Sequence, residues 1–258
     1  MPEVIGIRFK PVTKIYYFRP PDVELKFGEP VIVYTTHGEE LGWVASEAKV
    51  VPDSKIKGML KDVLRRADPL DLMSLQEYHC QEPAALEECK TRAEELGLAM
   101  KVLKAEYAYD GSRILFSFSA EQRIDFRELV RVLVRSLRTR VEMRQVGARD
   151  ESKAVSGYGK CGRPLCCSSW LTEFHSVSIR MAKNQKLPLA HEEISGQCGR
   201  FLCCLAYEDK FYTEMKMIMP SVGTIVHTPE GMSKIKGLNI IKQTVIVETE
   251  QDTIVELP

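Results

Sequence analysis

The stretch AMKVLKAEYAYDGSRILFSFSA, residues 99–120, decides the fold. Two strand-forming runs flank Asp110-Gly111, a dipeptide that accepts the positive φ of a tight turn, and together they predict an antiparallel hairpin. Upstream, residues 71–97 have helical spacing, with Leu86, Cys89, Ala93 and Leu96 on one side. Gly97 is placed to end that helix and Pro83 to break it in two. Downstream, Asp125 is expected to cap a helix from Phe126 to about Arg138, with Glu128 completing a capping box, and RVEMRQVG (140–147) reads as a strand. Helix, strand, strand, helix, strand predicts a roughly ferredoxin-like unit, its helices covering one face of an antiparallel sheet.

The flanks of this unit are β-rich. VIGIRF, KIYYF, PVIVYTT and ELGWVASE, separated by turn signals at Pro20-Pro21, Gly28 and His37-Gly38, predict a small antiparallel barrel or sheet. The charged run VPDSKIKGMLKDVLRRADPLD (51–71) reads as a linker, and GTIVHT, the turn PEG, MSKIKGLN and TVIVETEQDTIVELP predict an SH3-like barrel. The chain is therefore expected to be α+β, with four parts. These are an N-terminal β domain with linker (1–70), the α+β unit (71–149), a cysteine-rich metal or cluster segment (150–219) and a C-terminal small β barrel (220–258).

With 44% hydrophobic and 28% charged residues in 258, the composition is that of a soluble globular protein. Lys plus Arg and Asp plus Glu each number 36, so no global field draws the chain to nucleic acid or anionic lipid, and any such contact is local. The N-terminus lacks a secretory pattern and no window approaches a membrane span, which predicts a cytoplasmic protein without membrane insertion. In a reducing compartment eight cysteines are poor disulfide material, and clustering points instead to metal, redox chemistry or catalysis.

Six of them do cluster. GKCGRPLCC (159–167) returns as GQCGRFLCC (196–204), so Cys161, Cys166 and Cys167 recur 37 residues later as Cys198, Cys203 and Cys204. Thiolates are soft ligands for zinc or an iron-sulfur cluster, and a cubane needs four. One block supplies three, so a single block cannot fill a four-cysteine site, whereas pooled blocks can, with up to two thiolates left for a centre completed by another subunit. Gly162 and Gly199 suit a tight turn, while Arg163 and Arg200 can offset thiolate charge. Spacing alone leaves iron-sulfur and zinc both open, the adjacent pairs favouring iron, and redox-active vicinal thiols are a third reading. Cys80 and Cys89 stand outside the frame and read as structural. His175 and His191, between the blocks, read as surface or core residues before ligands.

The segment 123–149 carries Arg123, Arg127, Arg131, Arg135, Arg138, Arg140, Arg144 and Arg149, no lysine, and only Asp125, Glu128 and Glu142 as acids. Arg123, Arg127, Arg131, Arg135 and Arg138 fall on one flank of the expected helix, with Phe126, Val130, Leu133 and Leu137 facing inward. These five are candidate contacts for RNA or a protein partner; a solvated or protein-docking face is the plainer reading. GYGKCG (157–162) matches a dinucleotide fingerprint only formally, since no βαβ unit surrounds it, and the five histidines make no HExxH. No catalytic constellation emerges.

The doubled G-x-C-G-R-x-L-C-C, the opening VIGIRFKPVTKIYYF, the run RIDFRELVRVLVRSLRTRVEMRQVGARDESK, the phrase VSIRMAKNQ and the late KIKGLNII resemble the bacterial RicT (YaaT) family over nearly the whole chain. The resemblance implies a non-catalytic subunit of a cytoplasmic complex with two small helical proteins, RicA and RicF. Such complexes assist RNase Y in mRNA processing and affect sporulation, competence and biofilm formation. It also implies [4Fe-4S] clusters held by Cys161, Cys166, Cys167, Cys198 and Cys203, with Cys204 matching the motif, and partner subunits helping to complete a centre. The alternatives are a zinc-stabilised RNA-binding or scaffold protein, and a cysteine or iron-sulfur redox enzyme.

Overall fold

A computed structural model describes residues 2–36, 38–52, 58–228, 231–249 and 253–257. The chain divides into two units, Met1–Glu173 and Phe174–Pro258, so the cysteine-rich segment contributes one block to each. The architecture is α+β.

The first unit opens with β1 (Glu3–Arg8), β2 (Tyr16–Phe18), β3 (Pro30–Thr35), β4 (Gly38–Val50) and β5 (Val63–Arg66) in one antiparallel sheet of order β2-β1-β4-β3-β5. Ile5, Ile7, Val31, Val33 and Val44 form its buried side with Phe18, Leu25 and Val63. The four expected strands are present, although His37, in one of the turn signals, lies outside the described residues. The expected linker, however, contains β5. It buries only Val63, and is held by backbone pairing to β3 and by Arg66 on Glu29 at 3.0 Å.

Helix α1 (Pro69–Glu95) follows, capped by reciprocal bonds between Asp68 and Asp71. Arg65 grips the Asp71 carboxylate with both guanidinium nitrogens, at 2.5 and 2.9 Å, joining β5 to the helix start. That bond holds the Asp71 carboxyl below its ordinary value. The helix runs unbroken through Pro83, contrary to the expected break. Pro83 and His79 are both exposed, so water can satisfy the carbonyl that loses its donor. Gly97, at φ +62°, ends the helix as expected, with its N–H and that of Leu98 donating to Glu94 and Ala93. Cys89 and Ala93 are buried, but Leu96 lies past the last turn and is exposed.

Strands β6 (Lys101–Tyr107) and β7 (Arg113–Ser119) make the expected hairpin around Gly111, whose φ is +68°. Helix α2 (Arg127–Leu137) then crosses to β8 (Arg140–Gln145), which pairs parallel to β7 in the order β6-β7-β8. An adjacent parallel pair replaces the expected wholly antiparallel, ferredoxin-like arrangement. The helix joining β7 and β8 returns the chain to the same end of the sheet, so the two run parallel, and no strand lies between them. α1 and α2 cover this sheet through Ala85, Cys89, Ala93, Ile114, Phe116, Leu129, Leu133 and Val141. Arg113 bonds Glu40 at 2.7 Å and Tyr109 donates to Glu39 at 2.8 Å, fastening the hairpin to β4. The unit closes with α3 (Ala148–Val155) and α4 (Cys166–Ser169).

In the second unit, α5 (Ile179–Asn184), α6 (His191–Ile194) and α7 (Cys203–Ile218) precede β9 (Ile225–Thr228), β10 (Gly231–Asn239), β11 (Thr244–Glu248) and β12 (Ile254–Leu257). Helix α7 starts directly on the cysteine pair. The strands form an antiparallel meander of order β12-β11-β10-β9, and among the described residues no ladder closes it into the expected barrel. Pro229 and Glu230 of the PEG turn lie outside the described residues.

Candidate metal centre

The two cysteine blocks fold the same way, bond for bond. In the first, the Gly159 N–H donates to the Arg163 carbonyl at 2.8 Å, Gly162 to Gly159 at 3.0 Å and Leu165 to Gly157 at 3.0 Å. In the second, Gly196 donates to Arg200 at 2.8 Å, Gly199 to Gly196 at 3.0 Å and Leu202 to Ile194 at 2.9 Å. Isolated bridges join Tyr158 to Pro164 and Ser195 to Phe201. Each block is therefore a tight knuckle that places its first cysteine on the turn and its adjacent pair on the opening residues of a helix, α4 or α7.

Glycine is required at the turn tip, where Gly162 and Gly199 have φ of +74° and +69°. A second glycine of the frame lies beside the first sulfur, at ordinary contact distance. A Cβ at Gly159 would sit 3.4 Å from Cys161 Sγ, and one at Gly196 3.8 Å from Cys198 Sγ. The first sulfur of each knuckle thus folds back over the bare backbone two residues earlier. The residue list drawn from the sequence omitted Gly159 and Gly196, whose signal was their recurrence in the frame. Arg163 and Arg200 are exposed; among the described residues neither has an ion pair.

The knuckles are anchored differently. Cys167 and Leu171 are buried in the first unit, and α3 is held there by Lys153 donating to the Val12 carbonyl at 2.6 Å and by Lys101 on Glu151 at 3.1 Å. In the second unit Phe201, Leu202 and Leu205 pack with Ala182, Met181 and Ile194. A polar clamp reinforces that packing. Asn184 donates to Asp209 at 2.9 Å and receives Lys216 at 2.8 Å, while Gln185 donates to the Leu205 carbonyl at 2.8 Å. Neither α4 nor α7 has a side-chain cap.

The donor chemistry suits a thiophilic metal, since thiolates are soft ligands. Each block has three thiols, one short of four-coordination. Among the described residues no three Cys, His, Asp or Glu side chains converge as a metal group, so the fit is one of donor type alone. Neither His175 nor His191 joins such a group; His191 lies against Ser195 Oγ. Cys89 is fully buried among apolar residues, the structural place expected for it, and burial pushes its thiol up to about 12. Cys80 is exposed on α1.

The arginine run also takes shape. Arg123, Arg127, Arg131, Arg135 and Arg138 are all exposed, and Leu133, with partly buried Phe126, Val130 and Leu137, faces the core as expected. Leu129, which the sequence reading passed over, is fully buried beside Leu133. The expected capping box is absent. Phe126 occupies the cap position, Asp125 accepts the Arg127 N–H at 3.1 Å, and Glu128 pairs with Arg131 at 3.0 Å. Bonds from the Arg127 side chain and backbone bring the Asp125 carboxyl down to about 2.

Comparison with known proteins places these features in a lineage. The PSP1 C-terminal conserved region matches residues 61–146, from β5 through β8, and the third domain of PSP1-like proteins matches 176–219, the second knuckle and its helices. The chain belongs to the PSP1 family. One relative matches almost end to end: Stage 0 sporulation protein YaaT of Bacillus subtilis is 42% identical over 248 residues, which are 96% of this chain and 90% of that protein. An uncharacterized protein of Schizosaccharomyces pombe, PB7E8.02, is 38% identical over 96 residues, 37% of this chain and 13% of its own length. No solved structure matches. Among the described residues no helix is long and apolar enough to cross a membrane.

Proposed function

We propose that this chain is a non-catalytic iron-sulfur subunit of a cytoplasmic complex with RicA- and RicF-like proteins that promotes mRNA processing by RNase Y. Through it the chain would take part in sporulation, as the name of its YaaT relative suggests, and in competence and biofilm formation. The observation that carries the reading is the duplicated knuckle, in which two blocks 37 residues apart repeat each backbone bond around three cysteines. Packing alone gives no reason for such repetition. Cys161 and Cys198 would bind from the turns, and the pairs Cys166-Cys167 and Cys203-Cys204 from the helix starts. With three thiolates per block, a fourth ligand from outside the block makes metal binding a natural partner-dependent event. A bound cluster supplies oxidation-sensitive cross-linking of a segment with little apolar core of its own.

The test is purification without oxygen, alone and with RicA- and RicF-like partners, followed by assay of iron, acid-labile sulfide and zinc. Iron and sulfide in matching amounts, raised by the partners and lost in Cys161→Ser or Cys198→Ser, is the expected result. Zinc without sulfide, indifferent to partners, would turn the knuckles into a structural zinc module and remove the redox-linked role.

A further inference from the structure

We propose that the outer face of α2 binds the phosphate backbone of single-stranded RNA. This goes beyond the reading as an iron-sulfur subunit and rests on a different part of the chain. Leu129 and Leu133 fix the inner side of α2. At about 100° per residue, Arg127, Arg131 and Arg135 fall on the opposite side, while the exposed Arg123 precedes the helix and the exposed Arg138 is its left-handed C-cap. Arg127 is held by Asp125 and Arg131 by Glu128, but among the described residues no carboxylate pairs with Arg123, Arg135 or Arg138. Three guanidinium charges, Arg135 on this face and Arg123 and Arg138 at its two ends, are therefore uncompensated.

The character of the face selects the partner. A protein interface needs an apolar centre inside its polar rim. Here the exposed large apolar residue of α2 is Val134, at 39% exposure, which is too little to form one. No aromatic residue lies on this side of α2, so stacking of bases is not offered, and the contact is to phosphate. The arginines recur about once per turn, roughly 6 Å apart along the helix, which suits a linear polyanion better than a small phosphate gripped in a pocket. They form one row, matching one strand; a duplex would call for contacts to grooves on two strands. Binding of this kind is indifferent to sequence and steep in salt.

The test is fluorescence anisotropy of the whole chain with labelled oligouridylate and oligoadenylate over a salt series. Three uncompensated arginines at about 0.7 ions each predict a log-log slope near −2, or roughly 20-fold weaker binding between about 50 and 200 mM salt. Arg135→Glu with Arg138→Glu should remove most of the slope and lower affinity at low salt at least about tenfold, equally for both RNAs. The Lys pair at the same positions should keep it, and serves as the control for folding. Absence of RNA binding by the whole chain, or a slope unchanged by the Glu pair, overturns the proposal. So does loss of a protein partner with RNA binding intact, which would make α2 a docking face. Iron, sulfide and partner copurification report on the iron-sulfur subunit reading separately, so either can fail alone.

Discussion

Replacing Gly111 with alanine should weaken the first unit through two separable effects. Gly111 has φ +68°, which costs an L-residue about 1 kcal/mol, and its new Cβ would lie 2.1 Å from the Tyr78 hydroxyl. Tyr78 is the end of a side chain that can move, but it is stacked on Tyr107 with ring centroids 5.5 Å apart. Moving it gives up a contact worth about 0.5–1.5 kcal/mol. The sum is about 2 kcal/mol, measured by denaturant unfolding with the native Trp and Tyr signals. In a Tyr78→Ala background the obstacle is gone, so Gly111→Ala should cost only about 1 kcal/mol, leaving a coupling energy of about 1 kcal/mol. An identical cost in both backgrounds would refute the packing of α1 against the hairpin tip that this argument requires.

Gly162→Ala and Gly199→Ala each place a Cβ in open space, so both should cost only the left-handed backbone term of about 1–2 kcal/mol, with Asn milder than Ala; thermal unfolding and bound-metal content should respond alike at the two sites. Leu133→Ala, at a fully buried position, should destabilise by about 2–5 kcal/mol in denaturant, whereas Arg135→Ala on the same helix should be near neutral. Burial raises the Cys89 thiol from 9.0 to about 12, so the folded state favours the neutral form. Its stabilising contribution is intact below the unfolded value of 9.0 and is lost as pH climbs towards about 12. Native protein should alkylate at exposed Cys161 and spare Cys89, and Cys89→Ala should flatten the alkaline fall in stability.

What was readable in the sequence depended on how local its cause was. The hairpin at Asp110-Gly111, the end of α1 at Gly97 and the turns at Gly162 and Gly199 are set by single backbone positions, and all four are found. Strand β5 was hidden because it buries one residue and owes its place to β3 and to the ion pair of Arg66 with the distant Glu29. The unbroken α1 was hidden because Pro83 lies on the solvent side, which no propensity records. Pairing of β7 with β8 is a choice of neighbours made by the sheet. Within the blocks, the cysteine frame announced a repeated chemistry, but the back-folding of each turn sulfur over Gly159 or Gly196 needed coordinates.

Because β7 and β8 run parallel, the chain between them has to span the length of the sheet, and α2 is that span. Deleting or shortening it would unpair β8, so selection can never discard the helix, whatever happens to the charges it displays. Its inner leucines are then constrained by topology while its outer positions are free to drift. If the outer face binds polyanion as proposed, the unpaired Arg135 is a position at which that affinity can be changed with little effect on the fold. In a saturation-mutagenesis map, Leu129 and Leu133 should be intolerant in any growth condition, and Arg135 and Arg138 sensitive only where that affinity matters.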